Sequence, residues 1–238
     1  CELYCSSSFT REKRHTYFNA DLVWRTPANM IRDTKFEGLK REILFPTPIY
    51  MKELQGTQEL NKQLFKDIKA WMKKDPAGLE KTNVNGWHSQ TDQNKRPEYQ
   101  PLIKQMFTMV EQIFQDMGYQ PKVALGNMWT NVNYQHGFNK HHVHPNSTIS
   151  GAYYVKLPKD DPTCCIWMED PRPGPNLLMP RTVKNMPREL WRVVQYPPKE
   201  GMACLFPSYV PHGVGINRSK LKGEKSWRIS IAFNFIQV

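Results

Sequence analysis

The chain has 238 residues and a mass of 27.9 kDa, enough for one domain with a proper core. Its hydrophobic content of 39% and aromatic content of 12% exclude wholesale disorder, and no run of about eighteen apolar residues offers a membrane span. The formal charge of +11 suggests a polyanion partner, but the basic residues are scattered and no nucleic-acid motif accompanies them, so nucleic acid is not the expected partner.

Residues 1–40 are polar, mixed in charge and weakly periodic, and read as a poorly ordered N-terminal extension. Residues 41–238 read as a single domain. It opens with a proline-broken edge-strand pattern over 42–50. Leu60, Leu64, Ile68 and Trp71 recur at helical spacing and predict an amphipathic helix over about 58–74. Leu102, Met106, Val110, Ile113 and Met117 predict a second over about 98–118, closed by Gly118. Between them, residues 83–92 read as a long loop. After Gln120 the pattern becomes β-rich, with short runs at 123–134, 148–157, 164–169, 190–196, 202–206, 211–216 and 226–237. Helical support over about 58–118, followed by a β-core over about 123–238, predicts an α+β, mainly β domain with helices on one face of a closed or sandwiched sheet.

Five cysteines show neither metal nor redox spacing, and Cys164, Cys165 and Cys204 fall in apolar or strand-like runs where thiols bury. The N-terminal stretch lacks the basic-then-apolar layout of a signal peptide. Both point to a reducing cytoplasm.

Four of the seven histidines fall within nine residues: His136, His141, His142 and His144. In a strand, His142 and His144 project to the same side, so both imidazoles face one point. His212 follows far downstream in a second strand–turn–strand pair. Sixteen residues later, Arg228 and Ser230 alternate with Trp227, Ile229 and Ile231. An arginine facing inward from so apolar a strand needs an anion. Three imidazoles on one side of a divalent metal leave its other positions open, which suits non-haem iron with a bidentate co-substrate whose carboxylate the arginine receives. His141 alternates with His142 and should point away. His136, in the preceding turn, is a candidate substrate contact, as is Arg172 in the rigid Pro171–Pro175 segment.

Four stretches carry a resemblance: His142 to Tyr154, Glu169 to Pro175, Leu205-Phe206-Pro207-Ser208 with His212, and Trp227 to Asn234. Together they resemble the iron(II)/2-oxoglutarate oxygenase superfamily over about residues 40–238, and more narrowly the oxygenases encoded by marine cyanophages and related bacteria. The resemblance implies a double-stranded β-helix, jelly-roll or cupin-like, using Fe(II), 2-oxoglutarate and O2 to oxidise, typically hydroxylate, a small-molecule or peptide substrate. A phage gene would place it in the host cytoplasm. It implies His142, His144 and His212 as metal ligands and Arg228 with Ser230 as the 2-oxoglutarate clamp. The superfamily's Asn-x-Tyr corresponds in register to Asn131 and Asn133, which become co-substrate candidates. One of Tyr153 and Tyr154 must face inward, and Tyr153 is the one favoured.

His144 departs from the superfamily pattern by standing where a carboxylate is usual, which leaves Asp170 as an alternative third ligand. Two rival functions stay open. One is a cupin-like three-histidine dioxygenase that does not use 2-oxoglutarate. The other is a metal-containing β-barrel binding module without catalysis.

Overall fold

A computed structural model describes residues 31–161, 164–177 and 181–238. Most of the expected N-terminal arm, residues 1–30, lies outside the described residues. The chain divides into two compact units, residues 1–46 and 47–238. The first holds the short antiparallel pair β1 (Ile31–Asp33) and β2 (Lys40–Glu42).

The second unit begins with strand β3 (Tyr50–Glu53) and helix α1 (Gln58–Lys74), whose predicted stripe is real: Leu64 and Ile68 are fully buried. Helix α2 (Gln100–Asp116) follows, burying Leu102, Met106, Val110 and Ile113. It ends as predicted at Gly118, which takes φ +69°, a conformation glycine adopts at little cost.

The β-elements are β4 (Asn83–His88), β5 (Val123–His142), β6 (Ile149–Lys156), β7 (Ile166–Glu169), β8 (Val193–Tyr196), β9 (Met202–Pro207), β10 (His212–Val214) and β11 (Arg228–Gln237). They form one antiparallel sheet of nine strands, in the order β3-β9-β6-β11-β5-β10-β7-β8, with β4 also on β5. Two expectations are corrected here. Residues 83–88 are a strand rather than part of a loop, and β5 runs on through the histidines to residue 142 instead of ending near 134. Asn83-Val84-Asn85-Gly86 has little intrinsic strand preference, and pairing with β5 supplies what propensity does not. Gly86 is required there, because a Cβ would lie 2.5 Å from the Val132 carbonyl oxygen.

Strand β5 organises the domain. One of its edges pairs with β11 over residues 123–133 and then with β10 over 139–142, while its opposite edge pairs with β4. A single long strand thereby passes from one side of the barrel to the other. The curled sheet with two helices on its outer face is a double-stranded β-helix.

Register assigns the faces, since directly opposed residues of an antiparallel pair share a side. Thr130, Ile231, Tyr153 and Ala203 form one transverse row, and Met128, Phe233, Gly151 and Leu205 another. Both lie on the helix side, where Phe233 and Ile231 join the cluster that includes Leu64, Ile68, Leu102 and Met106. The alternate rows face inward. They are His88-Asn131-Ser230-Tyr154, Trp129-Ala232-Ala152-Cys204 and Asn127-Asn234-Ser150-Phe206.

Candidate metal centre and co-substrate pocket

The inward rows line a cavity of about 460 Å³ that contains His142, His144, His212, Arg228 and Ser230. His142 is directly opposed to His212 across β5 and β10, and His144 follows two residues on, its backbone N–H donating to Ser208 O at 3.0 Å. One ligand atom from each of these three rings lies within 4.8 Å of the others. They are the one histidine, cysteine or acid cluster of metal-binding spacing among the described residues.

The hydrogen bonds fix how each ring presents itself. His142 Nδ1 lies 2.7 Å from Lys140 O, His212 Nδ1 lies 2.9 Å from Val210 O, and His144 Nδ1 lies 2.5 Å from Asn234 Oδ1. Each oxygen can only accept, so each Nδ1 carries the proton and each Nε2 keeps its lone pair. The Asn234 amide is oriented by its own partners. Its Oδ1 also accepts from Ser150 Oγ at 2.7 Å, and its Nδ2 donates to Asn127 Oδ1 at 2.8 Å. Burial holds all three imidazoles below the ordinary value of 6.5, His144 at about 4 and His212 at about 3, so they are neutral at pH 7. Three convergent neutral imidazoles with free Nε2 lone pairs fit a divalent first-row metal.

Arg228 lies deeper, 1% exposed. Its Nη1 donates to Asn133 Oδ1 at 3.0 Å, its Nε meets no partner, and it makes no ion pair with a carboxylate among the described residues. A buried guanidinium left so costs on the order of several kcal/mol, which an anionic ligand recovers. Tyr154 packs against it, with the guanidinium carbon 5.3 Å from the ring centroid. The Tyr154 hydroxyl is buried without a hydrogen bond. Burial raises its pKa, and the Arg228 charge acts in the opposite sense.

Several expected contacts are placed elsewhere. Tyr153 turns to the helix side and donates to Asn61 Oδ1 at 2.6 Å, so Tyr154 takes the place by Arg228 that was assigned to Tyr153. The two alternate across β6, and tertiary packing decides which faces in. Asn133 is fully buried and does not line the cavity. Its Oδ1 receives Arg228 and its Nδ2 donates to Asn139 Oδ1 at 3.1 Å, so it orients the arginine. Asn131 does line the cavity, with its Oδ1 buried and without a donor. Asp170 is gripped by Arg172 through Nε at 2.9 Å and Nη2 at 2.7 Å, which holds its carboxyl below the usual range. Neither residue lines the cavity or joins the histidine cluster. His136 is exposed in the middle of β5 at φ +63° and stands outside the cavity, and His141 faces away, stacked on Trp167 and 3.3 Å from Glu169.

His88 was not singled out from the sequence. It is 4% exposed, lines the cavity and stacks on Trp129 at 5.7 Å. Its strand was hidden by Asn and Gly, so no periodicity marked it.

Residues 127–234 match a family model described as "Putative 2OG-Fe(II) oxygenase". No curated protein matches the chain. Among solved structures, a Pseudomonas putida prolyl-4-hydroxylase is 13% identical, with TM-score 0.54, covering 81% of this chain and 94% of that one. The α-ketoglutarate-dependent carbocyclase SnoK of nogalamycin biosynthesis is 11% identical, with TM-score 0.57, covering 81% and 80%. A viral collagen prolyl hydroxylase of Paramecium Bursaria Chlorella virus-1, solved with 2OG, is 12% identical, with TM-score 0.50, covering 80% and 96%. At such identities these structures speak to the fold alone. The matched segment, a little under half of the chain, carries all three clustered histidines together with Arg228 and Ser230, so the site lies within the part of the chain that is similar to that family.

Proposed function

We propose that His142, His144 and His212 bind iron(II) through Nε2, that Arg228, Ser230 and Tyr154 hold the far carboxylate of 2-oxoglutarate, and that the protein hydroxylates a small-molecule substrate in the cytoplasm. The observation that carries this reading is Arg228, a buried cation with no counter-ion, in the same cavity as three neutral imidazoles. The far carboxylate of 2-oxoglutarate supplies the anion that Arg228 lacks, and a closed structural metal site fills four positions rather than three. For the compartment, Cys164, Cys165 and Cys204 are buried free thiols, and no described helix is long and apolar enough to cross a membrane.

Iron and 2-oxoglutarate together supply the oxidant from O2, with release of succinate and CO2. The chain supplies orientation and exclusion. Backbone and amide oxygens lock the three ring tautomers. Asn133 presents the guanidinium fork, and Tyr154 with Ser230 adds hydroxyls beside it. A forked guanidinium recognises a carboxylate by two parallel hydrogen bonds, which selects a dicarboxylate of fixed length. Phe206, Ala232 and Val214 line the remaining wall and keep bulk water from the reacting atoms.

The test is anaerobic reconstitution with iron(II) followed by titration with 2-oxoglutarate. A visible charge-transfer band should appear with the parent protein, and succinate should form on admitting oxygen. Failure of 2-oxoglutarate to bind the iron-loaded protein removes the reading.

A further inference from the structure

The cavity has a side that the metal and co-substrate residues leave unused. His88, Lys81, Thr82, Thr91 and Trp129 line it. His88 lies directly opposite Asn131 on β4, at the head of the inward row that ends at Tyr154. His88 Nδ1 lies 2.6 Å from the Ser89 carbonyl oxygen, so it carries the proton and Nε2 is a lone-pair acceptor. Among the described residues no donor reaches that Nε2, and the mostly buried ring lines the cavity. Beside it, Asn131 Oδ1 is a buried acceptor without a donor. 2-Oxoglutarate, a dianion with no N–H or O–H at neutral pH, satisfies neither. The cavity therefore asks for a second molecule that brings a hydrogen-bond donor.

Charge narrows the class further. The charged side chains lining the cavity are Lys81 and Arg228, and no Asp or Glu lines it. Lys81 is exposed at the mouth, and its ammonium makes no ion pair or hydrogen bond among the described residues. A metal held by three neutral imidazoles keeps its full double charge, where a carboxylate ligand would have cancelled part of it. 2-Oxoglutarate offsets only two charges of the four that the metal, Arg228 and Lys81 provide. The surplus favours an anion, and low-dielectric walls focus it.

Resting on the iron and 2-oxoglutarate reading above, we propose that the substrate is a small anion bearing a hydroxyl or amino group. Lys81 receives its acidic group, and His88 Nε2 with Asn131 Oδ1 accepts its donor. His88 is then a specificity-determining residue. A site built to accept a hydrogen bond rejects the analogue that lacks the donor, because acceptors that the ligand has cut off from water stay unpaired.

The experiment uses the full chain loaded with nickel(II) and saturating 2-oxoglutarate, so binding is read without turnover. The probes are small 2-hydroxy and 2-amino carboxylates, each with its amide and its deoxy acid, measured by calorimetry. Acids with a donor should bind at least tenfold tighter than either partner. Lys81→Ala should erase the preference for acid over amide, and His88→Phe the preference for hydroxy or amino acid over deoxy acid. Both variants should bind nickel and 2-oxoglutarate like the parent, which shows the site intact. Amides binding as well as acids, variants that keep the parent's preferences, or a parent that binds none of the probes each overturn the proposal. A parent that fails to bind 2-oxoglutarate itself overturns the underlying reading as well.

Discussion

His144 Nδ1 and Asn234 Oδ1 meet at 2.5 Å, joining the end of β5 to the last strand of the fold. The contact ties one imidazole of the cluster to an amide that Ser150 and Asn127 hold in place from either side. The ring is thus fixed both in rotation and in tautomer.

Asn234→Ala should therefore weaken metal binding about 10- to 100-fold while the protein stays folded, the usual cost of removing a partner that orients a ligand. Asn234→Asp retains the acceptor and should recover most of the affinity. Calorimetric titration with iron(II) or nickel(II) checks both, and equal affinity in Asn234→Ala and the parent would make the contact incidental.

The triad itself is tested by its neighbours. His142→Ala and His212→Ala should each abolish stoichiometric iron while leaving the far-ultraviolet dichroism intact. His141→Ala and Asp170→Ala should retain iron, since His141 stacks on Trp167 and Asp170 is held by Arg172. His144→Asp should retain it as well, by restoring the common ligand set. Loss of metal in Asp170→Ala, with retention in His144→Ala, would reverse the assignment.

Arg228→Ala should weaken 2-oxoglutarate binding by about 2–5 kcal/mol, roughly 30- to several-thousand-fold, without loss of iron. Arg228→Lys should recover only part, because a point charge cannot reproduce two parallel hydrogen bonds. Asn133→Ala should have a smaller effect in the same direction, since it releases the guanidinium from its 3.0 Å anchor. Affinity titrations on the metal-loaded protein rank the three.

The histidines also set an acid limit for the metal-free protein. His144 and His212 titrate at about 4 and about 3 in the fold because burial disfavours their charged forms, against 6.5 when unfolded. Below 6.5 the unfolded chain therefore takes up protons that the folded chain refuses. Their contribution is fully present above pH 6.5, falls as the pH drops towards 4, and levels off below about 3. Thermal midpoints across pH 3–8 should show this descent, and His212→Asn should flatten it.

Gly86→Ala tests the strand concealed from sequence. The added methyl would meet the Val132 carbonyl oxygen at 2.5 Å and push β4 off β5. The expected loss is about 1–3 kcal/mol in chemical denaturation, with weakened binding of any ligand that His88 contacts.

The clustering of His142 with His144, and the inward facing of Arg228 with Ser230, were legible because they obey local rules. His142 and His144 lie two residues apart on one strand, and Arg228 and Ser230 do the same, so strand alternation alone puts each pair on one face. The two helices were legible for the same reason: Leu64 with Ile68, and Leu102 with Met106 and Val110, recur at the helical period. What sequence could not decide was which strands become neighbours. Tyr153 and Tyr154 alternate equally well in either sense, and only the seating of α1 on β6 turns Tyr153 outward to Asn61 and leaves Tyr154 beside Arg228. Asn133 looked like a ligand contact until the pairing of β5 with β11 set it against Arg228. His88 came from a stretch with no strand signal, and reached the cavity because β5 offered an unpaired edge. Short-range periodicity is written in neighbouring residues, whereas long-range hydrogen-bond partners are chosen by the folded sheet.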